Sequence, residues 1–448
     1  MKTFHFVSLG CPKNRVDTEV AAARLLAAGL VPARDERSAD LLVVNTCSFI
    51  RDARTESEDA LRAVARIKKL RPKVRVVAMG CLCQQDPDRV AQLVPGVDLV
   101  LGTGCVDRID TVLERSGPRV LVGPGSFLPR YETPRILSQS PSFAYLKIGD
   151  GCDRKCAFCA IPAIKGPAVS RPIPLLVAEA RQLAGLGVRE LVLVAQDTTQ
   201  FGKPDDGALL RLLDALEAID SIAWIRLMYA YPDRISRALL RRLAEGGKVL
   251  PYLDMPIQHI DDRILKAMRR GTSASSIRGA VQTARALCPR ITLRTTVITG
   301  FPGEDDKAFD ALLRFIEEAR FQHLGAFAFR PEAGTVAATM DGQVPARERT
   351  RRRNAVMRLQ KRISTEINRS WIGRTLNVLV DSDGAMGGPP TARTAFQAPE
   401  VDGVVYLDRT EAVAGRFLQV RITRSTAYDL VGTNQPADEF AAVPGADE

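Results

Sequence analysis

The sequence predicts an α/β protein in three parts: a doubly wound α/β domain over residues 1–137, a partial (β/α)6 barrel over 138–370, and a small OB-like β-barrel over 371–437. As far as about residue 330, short apolar runs alternate with helical patterns, which is typical of parallel sheets flanked by helices. Beyond residue 371, Gly, Pro and Asp separate the apolar runs, which favours antiparallel strands. The tail over 438–448 is rich in Ala, Asp, Glu and Pro and is predicted to be disordered.

The composition indicates a globular chain. Of its 448 residues, 46% are hydrophobic and 26% are charged. No run of about 18 apolar residues occurs, so no membrane-spanning helix and no membrane partner are expected. Nine cysteines, an odd number spread over a long chain, do not resemble a secreted disulfide framework. We therefore expect a cytoplasmic protein that uses cysteine for metal binding or redox chemistry.

The N-terminal domain is predicted to alternate strands and helices. Apolar runs give the strands and helical apolar spacing gives the helices: strands at 4–9, 41–45, 74–79 and 98–101, and helices at 17–30 and 57–70. Short apolar runs between helices are typical of buried parallel strands. The pattern is that of a doubly wound sheet.

Cys11, Cys47 and Cys81 each follow a different predicted strand of this domain. The carboxyl ends of parallel strands face one crevice, so these three thiols could hold a 4Fe–4S cluster with one iron open. Alternatively each thiol is a small buried hydrophobic group, or Cys83 replaces Cys81 as the third ligand. Cys105 and Cys288 are interpreted as core or incidental thiols.

Cys152, Cys156 and Cys159 form a second set of thiols in a loop that directly follows a predicted strand at 143–148. Thiolates select iron–sulfur clusters or zinc, and three of them leave one iron of a cubane open to a small molecule. Structural zinc requires four ligands, and no fourth Cys or His lies nearby in the sequence. A disulfide with a spare thiol is the remaining alternative.

The spacing of these cysteines, with Phe158 before the last one, resembles the signature of the radical S-adenosylmethionine (SAM) superfamily. The resemblance implies that the open iron binds the amino and carboxylate groups of SAM. Reduction of the cluster would then cleave SAM to a 5′-deoxyadenosyl radical.

Six strands are predicted for the barrel, at 143–148, 191–194, 224–228, 252–255, 292–298 and 324–329. Sites in such barrels lie at the carboxyl ends of the strands. Polar or glycine residues at those ends are candidates for cofactor binding: Gln196, Asp197, Gln258, Gly300 and Gly303. A tight connection explains the two glycines nearly as well as close approach to an adenosine. His259 is better interpreted as a buried structural histidine than as a catalytic base.

The last two segments of the chain differ in charge. Residues 346–369 are strongly basic and have one apolar stripe at helical spacing, which fits either a solvated helix face or a patch for RNA. Residues 371–448 contain six arginines, no lysine and eleven acidic residues, four of which lie in the tail. Predicted strands at 376–380, 395–396, 404–407 and 417–422 form the small barrel.

The whole arrangement resembles the methylthiotransferases of the radical SAM superfamily, in which the last domain is a TRAM barrel. Within that family, several stretches resemble the branch that acts on a ribosomal protein rather than on tRNA. They are Gly10–Asn14, Val44–Ile50, Ala195–Thr199 and Pro256–His259. The nearly neutral to acidic barrel favours the same branch, because a barrel that binds tRNA should be basic.

The resemblance implies methylthiolation of the β-carbon of one aspartate in small-subunit ribosomal protein S-twelve, on the ribosome or an assembling subunit. Cys152, Cys156 and Cys159 would hold the radical-generating 4Fe–4S cluster, and Cys11, Cys47 and Cys81 an auxiliary 4Fe–4S cluster that presents sulfur. One SAM would methylate that sulfur and a second would yield the radical. A flavodoxin-type protein would supply electrons. The alternatives are a tRNA methylthiotransferase and a non-catalytic iron–sulfur scaffold that binds ribosomes.

Overall fold

The computed structural model describes residues 2–114, 120–129, 135–138, 142–385, 387–408 and 412–434. It confirms the predicted fold class: an α/β domain, a partial barrel of parallel strands and a closed five-stranded β-barrel. The predicted disordered tail lies outside the described residues. Within these residues, no helix is both long and apolar enough to cross a membrane.

The N-terminal domain is a six-stranded parallel sheet with helices on its faces, in the strand order β2-β1-β3-β4-β5-β6. Its strands are β1 Thr3–Ser8, β2 Val31–Pro32, β3 Leu41–Thr46, β4 Arg75–Gly80, β5 Leu99–Leu101 and β6 Val120–Leu121. Its helices are α1 Pro12–Ala27, α2 Arg51–Leu70, α3 Cys81–Gln85 and α4 Pro87–Leu93, with a 3₁₀ segment at Thr103–Leu113. β3 is buried at every residue because helices cover both faces of the sheet.

The central domain is a half-barrel of six parallel strands, paired as β11-β10-β7 and β12-β13-β14. A bridge between Ile225 and Val249 lies where the two halves meet. The strands are β7 Phe143–Lys147, β10 Glu190–Val194, β11 Trp224–Leu227, β12 Tyr252–Asp254, β13 Thr292–Thr299 and β14 His323–Ala328. The short strands β8 Gly149–Asp150 and β9 Val169–Ser170 pair with each other.

Eight α-helices accompany this half-barrel in the described residues, and all but the first of them contribute to one continuous core with its outer apolar side chains. They are α5 Ile161–Lys165, α6 Ile173–Gly185, α7 Ala208–Glu217, α8 Arg237–Ala244, α9 Asp262–Ala267, α10 Ala274–Leu287, α11 Asp306–Ala319 and α12 Ala346–Arg369. Shorter 3₁₀ turns lie at Thr198–Gln200, Pro232–Arg234 and Val336–Thr339.

Helix α12 contains the basic segment of the sequence. Its apolar stripe is buried against the half-barrel, where Val356 and Ile363 join the core. Arg352 lies buried beside the helix start of α11 and bonds the Glu304 carboxylate at 2.8 Å. This arginine stabilises the packing of α12, so at least part of the basic segment has a structural role.

The C-terminal domain is a closed barrel in the order β15-β16-β17-β19-β18. Its strands are β15 Thr375–Ser382, β16 Thr391–Thr394, β17 Val405–Asp408, β18 Phe417–Ser425 and β19 Leu430–Asn434. The predicted strand at 395–396 is wrong, because the chain turns there and the second strand ends at Thr394. The strand Leu430–Asn434 was not predicted, since Gly432 interrupts its short apolar run.

The segment from Ala395 to Asp402, here called the base loop, packs into the base of the half-barrel. The Ala395 carbonyl accepts a hydrogen bond from buried Arg226 at 2.8 Å. Tyr145 donates to Glu400 at 2.8 Å and Tyr252 to Asp402 at 2.6 Å. The base loop therefore fills the end of the half-barrel opposite to the carboxyl ends of its strands.

Candidate functional site

A cavity of about 490 Å³ lies between the N-terminal sheet and the carboxyl ends of the half-barrel strands. All six cysteines of the two predicted sets line it: Cys11, Cys47, Cys81, Cys152, Cys156 and Cys159. Phe158, Gln196, Asp197 and Gln258, four of the candidate cofactor-binding residues, line it as well. The fold thus brings together residues from two domains that are far apart in sequence.

The first three thiols lie at the carboxyl ends of three neighbouring strands. β1, β3 and β4 pair in parallel, so the residues after their ends share one edge of the sheet. Cys11 precedes α1, Cys47 directly follows β3, and Cys81 opens α3. Sequence reasoning could anticipate this because strand order follows directly from the doubly wound pattern.

Two polar side chains fix the loops that carry these thiols. Asn14 donates to the Leu9 carbonyl at 3.2 Å and to the Thr46 carbonyl at 2.9 Å, tying the loop of Cys11 to the end of β3. The Ser57 hydroxyl accepts from the Cys47 N–H and donates to the Cys47 carbonyl, both at 2.8 Å. Ser57 was missed by sequence reasoning because it lies inside a charged helix.

Cys83 points away from the cavity. Its side chain is fully buried, its sulfur lies 3.8 Å from the Thr46 hydroxyl, and it packs into the core beneath the sheet. Helix α3 separates it from Cys81 by about half a turn, since residues two apart lie on opposite faces of a helix. The geometry supports Cys81 as the third thiol of this set.

Gly80 allows β4 to turn into α3 directly before Cys81. Its φ of +101° is a conformation that L side chains rarely adopt, and an added Cβ would lie 2.4 Å from the Asn45 side-chain oxygen. We expect Gly80→Ala to destabilise the fold by about 2–5 kcal/mol, from backbone strain together with overpacking.

Denaturant unfolding of the apo-protein measures this effect. Gly29→Ala is the matched control, because Gly29 has a φ of +86° but no atom within 4 Å of an added Cβ. Gly29→Ala should lower the free energy of unfolding only by the backbone strain, about 1–2 kcal/mol. If both variants lost the same free energy of unfolding, the close contacts around Gly80 would not contribute to the destabilisation.

The second set of thiols lies in the loop after β8. The Cys152 N–H donates to the Gly166 carbonyl at 3.1 Å, and the Cys159 N–H donates to the Cys156 carbonyl at 3.1 Å, so the loop folds back on itself. Phe158 packs edge-on against Phe301, with ring centroids 6.5 Å apart. These contacts hold three thiols around one part of the cavity.

Two arginines and one tyrosine border this loop. The guanidinium carbons of Arg154 and Arg270 lie 3.6 Å and 3.9 Å from the centre of the Tyr231 ring. Arg270 also donates to the Cys156 sulfur at 3.4 Å, and Arg154 pairs with Asp197 at 3.1 Å. Tyr231 follows β11 and could have been found from its strand-end position, whereas Arg270 has no local signal in the sequence.

Four buried charges join the two domains beside the cavity. Lys147 on β7 bonds Asp17 on α1 and Asp150, both at 2.9 Å, and Lys165 lies 3.3 Å from Asp150. Burial alone would raise the pKa of Asp150, but Lys147 and Lys165 hold it well below its ordinary value. Two ammonium groups therefore balance two carboxylates, and the cluster fixes α1 against the half-barrel.

Gln196 connects this cluster to the cavity. Its amide nitrogen donates to Asp150 at 2.7 Å, while its buried amide oxygen has no hydrogen-bond partner among the residues that the structure describes. Buried polar atoms are nearly always satisfied, so an orphan atom in a cavity wall indicates a ligand that would donate to it. Gln258 lies in the same wall with a φ of +70°, a conformation uncommon outside glycine and found at functional sites.

The remaining candidates lie outside this wall. Gly300 packs against Arg349, and an added Cβ would lie 2.2 Å from that side chain, whereas no atom lies within 4 Å of an added Cβ at Gly303. Neither glycine lines the cavity, so their predicted contact with a cofactor stays a prediction. His259 is fully buried and accepts a hydrogen bond from the Asp261 N–H at 3.0 Å, which fits a structural histidine.

Burial also affects the thiols themselves. It raises the pKa of Cys47, Cys81 and Cys152, and raises that of Cys159 to about 12. These thiols are therefore protonated at neutral pH when no metal is bound. Metal loading must displace their protons.

Three family models match the chain in succession. Residues 3–102 match Uncharacterized protein family UPF0004, residues 146–316 match the Radical SAM superfamily, and residues 372–434 match the TRAM domain. The second match contains the loop of Cys152, Cys156 and Cys159. The third covers the closed β-barrel.

Two relatives match almost from end to end. A ribosomal protein uS12 methylthiotransferase RimO from Anaeromyxobacter sp. (strain Fw109-5) is 44% identical over 433 residues, covering 95% of this chain and 91% of the relative. Another from Pelobacter propionicus is 43% identical over 440 residues, covering 96% and 97%. The chain belongs to the RimO family.

A solved structure extends the comparison to the fold of the RimO family. The radical SAM methyltransferase TsrM from Kitasatospora setae has a TM-score of 0.55 and 14% identity, with 75% of each chain covered. At this identity the likeness shows a common fold alone.

The residues present fit the two 4Fe–4S clusters and the SAM that the RimO family implies. Each set supplies three thiols to the cavity wall, and Gln196, whose amide oxygen has no partner among the described residues, lines the same cavity. Within the described ranges no three His, Cys, Asp or Glu side chains converge as the ligands of one metal ion would.

Proposed function

We propose that this chain transfers a methylthio group to the β-carbon of an aspartate in ribosomal protein uS12. The observation that carries the proposal is the single cavity lined by three thiols from each of two domains. A transfer that needs both a radical source and a sulfur source requires the two to face one substrate. Family membership supports the same activity.

Cys152, Cys156 and Cys159 would hold one 4Fe–4S cluster, and Cys11, Cys47 and Cys81 the other. When bound, these clusters and SAM supply a carbon-centred radical that takes hydrogen from an unactivated C–H bond, and a sulfur that replaces it. Arg270 donates to the Cys156 sulfur, and Gln196 lines the same cavity. These side chains would orient the bound groups.

The C-terminal barrel supports a protein substrate. Residues 371–448 contain eleven acidic side chains against six arginines and no lysine. Four of these acidic residues lie in the tail, and without them the barrel is nearly neutral, which does not favour binding to the phosphates of RNA. We assign substrate docking to this barrel, the auxiliary cluster to residues 1–137 and the radical chemistry to 138–370.

The reaction also requires electrons and a reducing environment. We assign the electron supply to a flavodoxin-type protein, because a one-electron donor of low potential is needed to reduce such clusters. We place the enzyme in the cytoplasm, on the ribosome or an assembling small subunit, where the nine cysteines stay reduced.

Anaerobic reconstitution followed by turnover tests the proposal. The reduced enzyme receives SAM, sulfide and a uS12 peptide that contains the target aspartate. We expect about eight irons per chain. Mass spectrometry should show a gain of about 46 Da on the peptide aspartate. Unmodified tRNA in the same mixture should give no product.

Two outcomes of this experiment would contradict the proposed transfer to uS12. About eight irons with the product on tRNA would keep the chemistry and change the substrate. About four irons would mean that the thiols of the N-terminal sheet hold no cluster, and the transfer reaction would have to be abandoned.

A further inference from the structure

Four cationic side chains line the cavity: Lys13, Arg154, Lys165 and Arg270. Three of them already have polar partners. Arg154 pairs with Asp197 and Asp233, Lys165 pairs with Asp150, and Arg270 donates to the Pro256 carbonyl at 2.6 Å. Lys13 differs, because no carboxylate of the described residues lies within 4 Å of its ammonium group.

A cation–π contact of Lys13 crosses the boundary between the two domains. Its ammonium nitrogen lies 4.2 Å from the centre of the Tyr229 ring, which comes from the segment after β11. An ammonium held by an aromatic face keeps its charge and most of its hydrogen-bond donors available. Lys13 therefore lies at the cavity with no carboxylate of the described residues paired to it.

The backbone of Tyr229 is held in an unusual conformation that keeps the ring in place. Its φ is +60°, which is uncommon for a bulky residue. The Tyr229 N–H donates to Asp254 at 3.1 Å, and its carbonyl accepts from the Thr198 N–H at 3.2 Å. Strain that the surroundings maintain at a cavity wall points to a functional position.

The position of Lys13 is also fixed from its own side. It follows Cys11 by two residues in the first turn of α1. Asn14 ties that turn to β3, and Asp17 ties the same helix to Lys147. Lys13 thus lies next to Cys11 of the first set of thiols. It also contacts Tyr229, which lines the cavity together with the second set.

The target of the proposed reaction is itself charged. An aspartate carboxylate is bonded to the carbon that reacts, and burying it in a closed cavity costs several kcal/mol unless a cation accompanies it. We propose that the Lys13 ammonium binds the carboxylate of the target aspartate and so places the β-carbon between the two sets of thiols. This inference rests on the proposed function, because it names a recognition element of that same site.

Peptide binding to the reconstituted enzyme tests the assignment. S-adenosylhomocysteine replaces SAM to prevent turnover, and fluorescence anisotropy compares a uS12 peptide carrying the target aspartate with one carrying Asn there. We expect the wild type to bind the Asp peptide about tenfold more tightly, a difference of about 1.4 kcal/mol. Lys13→Met should remove this preference, and Lys13→Arg should restore part of it.

The controls separate this role from others. Lys69→Met removes an exposed lysine of α2 and should leave both affinities unchanged. Iron content should be the same in Lys13→Met as in the wild type, which would show that both clusters are still bound. An equal loss of affinity for both peptides, no loss for either, or a loss of iron would overturn the assignment. If the wild type with full iron neither binds nor modifies the Asp peptide, the proposed function itself fails.

Discussion

Replacing Cys81 by alanine is expected to lower the iron content of the reconstituted enzyme from about eight to about four atoms per chain, because one cluster loses a ligand. Methylthiolation should then be lost while SAM cleavage without peptide continues. Cys81 lines the cavity at the end of β4, on the same sheet edge as Cys11 and Cys47. Its removal leaves two thiols, which do not hold a cubane.

Cys83→Ala is the matched control for this experiment. It removes a thiol two residues away that is fully buried in the core beneath the sheet. We expect about eight irons and normal turnover, with only the stability loss of a small cavity. The assignment of Cys81 would be wrong if the Cys81 variant kept both clusters while the Cys83 variant lost one. Iron analysis and electron paramagnetic resonance of the reduced proteins distinguish the two results.

Replacing Glu190 by alanine is expected to cost about 3–5 kcal/mol of stability, the largest loss we predict from a side chain outside the cavity. Glu190 begins β10 and is fully buried between Arg226 and Arg393, each 2.7 Å from its carboxylate. Burial alone would raise the pKa of Glu190, but the two arginines hold it below its ordinary value. Without the carboxylate, two buried guanidinium groups face each other with one fewer counter-charge.

The sign of the pH dependence follows from that lowered pKa. A carboxylate with a lower pKa in the folded state stabilises the fold at neutral pH, and this contribution is lost as the pH falls through the folded value. The wild type should therefore lose its advantage over Glu190→Ala under acidic conditions. Denaturant unfolding of the apo-proteins at several pH values measures the difference.

Glu317→Ala is the control for the second prediction. Glu317 forms an ion pair with Arg362 in which both side chains are about 60% exposed. An exposed pair of this kind is worth about 0–1 kcal/mol. Equal losses in the two variants would show that burial of the Glu190 cluster adds nothing to its value.

The sequence allowed the positions of the six thiols to be anticipated because each follows an apolar run or forms a compact motif. Cys47 directly after β3 is an example: burial on both faces makes that strand a continuous apolar run, and its carboxyl end marks the site edge. Tyr229 and Tyr231 obey the same strand-end rule after β11 and could have been included. Local pattern was therefore sufficient for the framework of the site.

Long-range contacts could not be read from local patterns. Arg270 reaches Cys156 from a distant turn, and Lys147 contacts Asp17 on a helix of another domain. Lys147 lies inside an apolar strand, where only the three-dimensional partner explains a buried charge. The second strand of the small barrel was predicted at 395–396 because Ala395 and Phe396 are apolar. The strand lies at Thr391–Thr394, and these two residues begin the base loop.

The base loop has a consequence for the synthesis of this chain. Ribosomes deliver the half-barrel before residues 395–402, and domains begin to fold as they emerge. Until that segment arrives, Arg226 and Tyr252 lie at an open base without the carbonyl and carboxylate that bond them in the finished protein. In the nascent half-barrel, water is therefore expected to solvate these two polar groups until the base loop replaces it. An enzyme that acts on a ribosomal protein thus completes its own framework only after its third domain has left the ribosome.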